Sequence, residues 1–528
     1  MFLLALSAPF WDLGHPLMEV DDARYAEIPR EMAVSGDWAT PRLNEMDYVE
    51  KPPLIYWITA ASYKIFGVSE AAARLPHALI SVLGLLGVAW LGSWLYALET
   101  GLAAAVMLAT SGLYFFLSHY MTPDMPLAVS LLWCSALILR ALERPEDSNW
   151  AGPCAWALAG LGFLSKGLVA LLFPGGWTLA LLLLCPRYRR GLRGLLNPLG
   201  PLLFISVAAP WLCLMEKRHP GFFHFFFAEQ HFQRYLTQRY NRMSPWYFYL
   251  LIIPATLLPW TPVVLAGLAG LARRWREETG TAALALWALM VACFFSASHS
   301  KLATYVLPAF PHFCLVGARA LQEEAPAWAK RLSWGLGTVL LLAPAALFLR
   351  GRVPAGLIPP AAVIAAALLG AAVLGLALLT AGRKGGASAS EATRLGLAGL
   401  AAGGLFLALL RLDDGFVSAR AISRAIVAER RPEDLTYTYG TYLHGLPFYT
   451  GRRVEKLIYW TGELHYAKRD SANAERFGDD TDIMALPREG RRVFVVLRTF
   501  EAPHFLSLTT TEKLKSYRQF GPWVLAEF

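Results

Sequence analysis

Charge is what this sequence has least of. Asp, Glu, Lys and Arg make up only 16% of its 528 residues, against roughly 25% in an ordinary soluble domain. Hydrophobic residues reach 56% and the mean hydropathy is +0.41. So sparse a charge complement excludes an ordinary soluble domain and indicates a polytopic α-helical membrane protein. Cysteine is also scarce. The six cysteines (Cys134, Cys154, Cys185, Cys213, Cys293 and Cys314) lie in or at the ends of apolar runs without metal-ligand spacing, and read as small core residues. There is no internal repeat, which counts against a transporter built from matching halves. Nor is there a basic stripe: the net charge of +9 is scattered among apolar runs, which disfavours nucleic acid and favours membrane lipid head groups and phosphates as partners.

The N-terminus lacks the basic segment and small-residue cleavage site of a signal peptide. Its apolar run, 1–11, covers about half of the ~20 residues that a spanning helix needs. Either the helix continues into the following loop or the first span begins upstream of Met1; the second is the expectation. Further apolar runs lie at 75–96, 101–120, 125–139, 151–165, 168–185, 195–215, 246–271, 282–298, 302–318, 332–349, 353–381 and 395–410. With the N-terminal run they make about thirteen transmembrane helices and put the termini on opposite sides. The Ala/Gly/Leu-rich stretch 361–404 suits closely packed helices.

Loop charge orients the spans. Arg187, Arg189, Arg190 and Arg193 share one short loop; Arg273, Arg274 and Arg276, then Lys330 and Arg331, then Arg383, Lys384 and Arg394 fill three more. All fall on one side, which is therefore cytoplasmic. The other side receives loops 12–74 and 216–245 and everything after Arg411. The expected organisation is a membrane domain, 1–411, followed by a small periplasmic α/β domain, 412–528. In the latter, strand-length apolar runs at 435–439, 493–497 and 523–526 follow a helical stretch at 419–430. Two places break the charge rule. One is the turn with Arg350 and Arg352. The other is loop 216–245, where Lys217, Arg218, Arg234, Arg239 and Arg242 face only Glu216 and Glu229; positive charge there fits either a bound anion or a solvated rim.

The first loop is the densest in ionisable residues, and in a chain this apolar such residues are costly unless they serve chemistry. A helix over residues 21–35 puts Asp21, Arg24, Tyr25 and Ile28 on one face. A carboxylate, a guanidinium and a phenol then point into one pocket, with Ile28 and Met32 toward lipid or the first span. The alternative is an interfacial helix with ordinary ion pairs such as Arg24 with Glu27. Downstream, Tyr48, Glu50 and Lys51 precede an apolar, aromatic segment, 52–66, that should hug the membrane surface. Lys51 then either holds a phosphate at head-group height or simply snorkels. Asp124 is a candidate at the start of a span, or only a helix cap. Lys166 has no carboxylate nearby in sequence and is a functional candidate or a snorkelling lysine. Lys301 and Tyr305 form the last polar cluster.

The runs DDARYAEIPREM (21–32), YVEKP (48–52), TPD (122–124), SKG (165–167), EQHFQR (229–234) and KLATYVLP (301–308) together resemble the lipid A 4-amino-4-deoxy-L-arabinose transferase family. That family is undecaprenyl-phosphate-dependent and of GT-C type, in the wider class that includes the protein O-mannosyltransferases and oligosaccharyltransferases. The first motif is specific, the later ones weaker but in the expected order, and the likeness extends over the whole chain. The resemblance implies transfer of the aminopentose, or a related sugar, from undecaprenyl phosphate to a lipid A phosphate on the periplasmic face of a bacterial inner membrane. It implies Asp21 as the essential carboxylate with Arg24 and Tyr25 beside it, Glu50 and Lys51 near the lipid phosphate with Tyr48 lining the same pocket, and Asp124, Lys166, His231 and Tyr305 at further cavity positions. Arg234 is added from the basic loop. Two departures are Asp22, where close relatives usually carry Glu, and the short N-terminus; both leave the sugar and the acceptor open.

The leaving group explains the residue types. Breaking a sugar–phosphate bond develops negative charge on the carrier, which cations such as Lys51, Lys166 and Arg234 stabilise. Asp21 would orient the acceptor or take its proton. No obligatory cofactor is expected, and a divalent metal held by acidic residues and histidines has no chelating motif behind it. The rival readings are a protein O-glycosyltransferase, with a protein in place of lipid A as the periplasmic acceptor, and a lipid transporter.

Overall fold

Apolar segments with no water to bond must satisfy their backbones internally, and the described runs read as spans are helical. The structure is a computed structural model that describes residues 1–233, 244–323, 325–349, 387–412, 417–486, 491–509 and 513–528; run 353–381 lies outside them. By its contacts the chain divides into two units. One comprises Met1–Trp11, Pro76–His119 and Pro123–Ala408, the other Asp12–Leu75, Tyr120–Thr122 and Leu409–Phe528.

Among the described residues, four helices are long and apolar enough to cross a membrane: Glu70–Leu95, Asp124–Glu143, Leu199–Arg218 and Thr279–Ala297. Two runs are broken pairs rather than single helices. Leu98–Ala109 and Gly112–His119 meet at 65°, and Phe248–Thr256 and Thr261–Arg274 at 115°. The run at 302–318 begins as a 3-10 turn, Ala303–Ala309, before helix Phe310–Gln322. Pro308 and Pro311 remove donors there, and the freed Pro308 carbonyl accepts the buried indole N–H of Trp287 at 3.0 Å. Helix Leu199–Arg218 leaves Leu202 and Ile205 exposed, as a lipid-facing span requires.

The second unit is built like a soluble domain. Strands β1 (Arg42–Leu43) and β2 (Met46–Asp47) form a short antiparallel pair, and a six-stranded sheet comprises β3 (Leu435–Tyr439), β4 (Lys456–Ile458), β5 (Phe477–Gly478), β6 (Val493–Arg498), β7 (Ser516–Phe520) and β8 (Trp523–Glu527). The order is β5-β4-β3-β6-β8-β7: β5, β4, β3 and β6 run parallel, and the β7–β8 hairpin closes the edge antiparallel. Alternation along β6 sends Phe494 and Val496 to one core and Val493, Val495 and Leu497 to the other, the period-two rule of a sheet covered on both faces. The three strands read from the sequence are β3, β6 and β8, and the helix near 419–430 is Arg420–Glu429.

The loop helix forms over Asp21–Ser35 with Pro29 inside it, and Gly36 caps it at φ 74°. Its surroundings correct the sequence reading. Ile28 and Met32 do not face lipid or the first span: both are buried in a core with Ala419, Ile422, Leu443 and Leu446. Burial of an apolar stripe against a sheet-based core competes with lipid on equal hydropathic terms. The Arg24–Glu27 pair of the alternative reading does not form, because Glu27 takes both bonds of Arg30, at 2.6 and 2.7 Å. The aromatic segment is helix Leu54–Phe66. It turns Tyr56 and Tyr63 into the same core and leaves Ile65 and Phe66 exposed.

Candidate active site

The loop helix starts with acid. Asp21 and Asp22 occupy its first turn, where the positive end of the helix dipole favours a carboxylate. One turn on, Arg24 donates from Nη2 to Asp21 and from Nη1 to Glu463. The Arg24 side chain is 5% exposed and that of Asp21 29%, so the guanidinium is enclosed and the carboxylate reaches solvent. Burial opposes the Arg24 charge, but Tyr48, Asp21 and Glu463 overcome it and raise its pKa well above the ordinary value. This cation stays protonated at any accessible pH.

Aromatic rings wall the pair. The Arg24 guanidinium lies 5.3 Å from the Tyr25 ring centre and 5.9 Å from that of Tyr48, and Tyr25 stacks on Tyr56 at 5.8 Å. Such contacts suit a planar cation. The hydroxyls of Tyr48 and Tyr56 and the Arg24 Nε are buried without a hydrogen-bond partner among the described residues. Buried polar groups are normally paired, so a wall with three orphans is ready for a polar ligand. Burial also pushes the Tyr48 and Tyr56 phenols well above their ordinary pKa, so they can serve as neutral donors. Glu50, almost fully enclosed, lies 3.6 Å from Nδ1 of His465. Lys51, half-buried, follows it at the start of the aromatic helix.

The membrane unit holds its own polar cluster. Asp124 opens helix Asp124–Glu143, and Lys166 ends helix Ser148–Lys166. The two form a salt bridge, each charge at the helix end that favours it. The Lys166 ammonium lies 4.1 Å from the centre of the Tyr305 ring. Gly167, at φ 82°, gives His231 room: a Cβ there would strike the imidazole Nε2. That nitrogen accepts the Leu168 N–H at 3.2 Å, and Nδ1 lies 2.6 Å from the Phe226 carbonyl.

The structure therefore groups Asp21, Arg24, Tyr25 and Tyr48, with Glu50 nearby, and separately Asp124, Lys166, Tyr305 and His231. Lys301 does not join the second group: its ammonium is held by the Ser244 and Ser298 carbonyls. Arg234 lies outside the described residues. Glu463, His444, Glu19, Tyr56 and His465 were missed. Glu463 is 439 residues from Arg24, and no local pattern marks it. Among the described residues no three His, Cys, Asp or Glu side chains form a metal-binding group; Glu50 lies beside His465, and His444 lies between Glu463 and Glu19.

Residues 50–213 match the family model described as dolichyl-phosphate-mannose-protein mannosyltransferase. The undecaprenyl phosphate-α-4-amino-4-deoxy-L-arabinose arabinosyl transferase of Pectobacterium carotovorum is 34% identical over 352 residues, which is 64% of this chain and 62% of the relative. The enzyme of the same name from Aeromonas salmonicida is 33% identical over 358 residues, 63% of this chain and 62% of the relative. The chain thus matches just under two thirds of the length of these curated relatives. The crystal structure of ArnT from Cupriavidus metallidurans bound to undecaprenyl phosphate superposes with a TM-score of 0.83 at 26% identity, covering 100% of this chain and 97% of that one. The archaeal oligosaccharyltransferase AglB from Archaeoglobus fulgidus, at 13% identity and a TM-score of 0.51, covers 95% of this chain and 69% of that one and shares the fold. The chain is thus a multi-pass membrane protein with the GT-C fold of ArnT, and its sequence is similar to undecaprenyl phosphate-aminoarabinose arabinosyl transferases.

Proposed function

We propose that this protein transfers 4-amino-4-deoxy-L-arabinose, or a closely related sugar, from undecaprenyl phosphate to a lipid A phosphate at the periplasmic face of the inner membrane. The observation that carries the reading is the Asp21–Arg24 pair: a solvent-reaching carboxylate held by an enclosed guanidinium, against a wall of tyrosines with unpaired buried hydroxyls. Relatives named as undecaprenyl phosphate-α-4-amino-4-deoxy-L-arabinose arabinosyl transferases and a similar structure solved with undecaprenyl phosphate support the donor in this reading.

Cleavage of the sugar–phosphate bond leaves a polyprenyl phosphate whose growing charge needs cations fixed in advance. Lys51 and Lys166 are assigned that work, with Arg234 as a third. Lys166 shares its charge with Asp124, which keeps it in place before the phosphate arrives. Asp21 orients the acceptor. A phosphate acceptor with a second pKa near ~6 needs little deprotonation at neutral pH, so positioning and stabilisation of a cationic sugar outweigh proton removal. The orientation, with loop 12–74 and residues 412–528 outside the membrane domain on the periplasmic side, rests on loop charge.

Mass spectrometry of lipid A from cells with and without the gene tests this. Loss of the aminopentose on deletion is the expected result. Unchanged lipid A with altered glycoproteins would instead favour a protein acceptor, the reaction named by the matched family model.

A further inference from the structure

Arg24 serves two carboxylates at once. A guanidinium facing one carboxylate tends to give it two parallel bonds. Here Nη2 goes to Asp21 and Nη1 to Glu463, so Asp21 is held by one bond and not clamped by two. Glu463 is itself seated. One of its oxygens lies 3.5 Å from Nε2 of His444, whose Nδ1 lies 3.6 Å from Glu19. The Glu19 carboxylate accepts the backbone N–H groups of His444 and Gly445, both at 2.8 Å. Tyr442 and Trp460 pack on the His444 ring, with centroids at 4.8 and 5.8 Å. Five ionisable side chains thus run in line from a backbone-anchored glutamate to the carboxylate that reaches solvent.

The electrostatics agree with the geometry. Burial would push the Glu463 carboxyl up, but Arg24 and His444 hold it far below the usual range. Burial would likewise lower His444, yet Glu19 and Glu463 raise it. Glu463 and His444 are held charged by their neighbours, so removing one disturbs the line and not only its own site.

We propose that Glu463, seated by His444 and Glu19, is a positioning residue for sugar transfer: it draws Arg24 away from a two-bond clamp on Asp21 and leaves that carboxylate oriented toward the acceptor. This rests on the reading of Asp21 as the transfer-site carboxylate. It makes a residue close to the C-terminus part of the reaction machinery.

The test uses the full-length protein in detergent, undecaprenyl phosphate-linked 4-amino-4-deoxy-L-arabinose as donor and lipid A as acceptor. Glu463→Gln keeps the shape and removes the charge. It is expected to lower kcat by about 10- to 100-fold while KM for the donor moves less than about threefold. Glu463→Asp, which restores the charge, should recover part of the loss. Because Glu463 acts through Arg24, Glu463→Gln should cost less than about twofold when added to Arg24→Lys. If Arg24→Lys is inactive or unfolded, the kcat and KM split and the Asp rescue decide. A Glu463→Gln enzyme with kcat within about twofold of wild type, or one whose loss follows only a lowered Tm and multiplies with that of Arg24→Lys, would overturn the proposal. Wild-type protein that fails to transfer would overturn the function and the inference with it; transfer by wild type beside an unimpaired Glu463→Gln would remove the inference alone.

Discussion

Asp22 and Arg74 form an ion pair that solvent does not reach: both side chains are fully enclosed, with the carboxylate 2.5 Å from the guanidinium. Every partner is of the right kind. Asp22 also accepts the Met18 and Met121 N–H groups, both at 3.0 Å, and Arg74 donates to the carbonyls of Leu13, His15 and Pro16. Two adjacent acids therefore do different work: Asp21 reaches outward, and Asp22 ties the start of the loop together.

Asp22→Asn and Asp21→Asn should fail in opposite ways. Asp22→Asn leaves a buried guanidinium without its counter-charge, a loss of about 3–5 kcal/mol; a sharply lowered Tm and poor recovery in detergent are expected. Asp21→Asn should keep the wild-type Tm within about 2 °C, since partly exposed pairs contribute ~1 kcal/mol or less. Its transfer rate should fall by about 10²- to 10⁴-fold. Asp21→Asn with near-normal turnover would remove Asp21 from the site.

Much of this is legible in the sequence. The helix over Asp21–Ser35 and strands β3, β6 and β8 follow from period and composition, because each carries an uninterrupted pattern. Strands β4 and β5 are too short to show one, and β7 is an edge strand whose residues are half-buried or exposed. The burial of Ile28 and Met32 in a protein core is not legible, because hydropathy assigns the same value to lipid and to a protein core. The site was half legible: Asp21 and Arg24 are three residues apart, but Glu463 and the Asp124–Lys166 pair, 42 residues apart, are brought together only by tertiary folding.

The Asp124–Lys166 bridge should resist a charge swap. Asp124→Lys with Lys166→Asp preserves the attraction but sets each charge against its helix dipole, at about 0.3–1 kcal/mol per end. It also replaces the ammonium over the Tyr305 ring with a carboxylate that the ring face repels. The double variant is expected to be less stable than wild type by about 1–2 kcal/mol and to recover no transfer. Thermal unfolding in detergent and a transfer assay on the same sample check both. Full recovery would show that only the mutual attraction matters.

Gly167 should not accept a methyl group. Its backbone, at φ 82° and ψ −140°, lies where side chains are strained by about 1–3 kcal/mol, and the added Cβ meets His231. Gly167→Ala should therefore lower stability and displace the imidazole. In Gly167→Ala combined with His231→Ala the steric part disappears and the backbone part stays. The two losses should thus sum to more than the double variant shows, a difference readable by thermal unfolding. Strict additivity would mean that His231 does not lie against Gly167.

His15 should make the protein acid-sensitive through its neutral form. The ring is fully enclosed, has no hydrogen-bond partner at Nε2 among the described residues and lies 2.7 Å from the Asp12 carbonyl through Nδ1. Burial first, and then Arg74, lower its pKa from 6.5 to about 4 against the pull of Asp22 and Asp12. Below pH ~6.5 the unfolded chain takes up a proton that the folded chain refuses, so stability falls as pH drops and the loss is complete near pH 4. The span of the shift corresponds to about 3 kcal/mol. His444 works in the opposite window: its raised pKa contributes stability that is full below pH ~6.5 and lost as pH climbs through the folded value. Thermal unfolding of wild type and His15→Asn across pH 4.5–7.5 isolates the first effect, because carboxylate titrations are common to both proteins. The variant should lose less stability than wild type between pH 6.5 and 4.5. Parallel curves would mean that the folded His15 takes its proton as readily as the unfolded one.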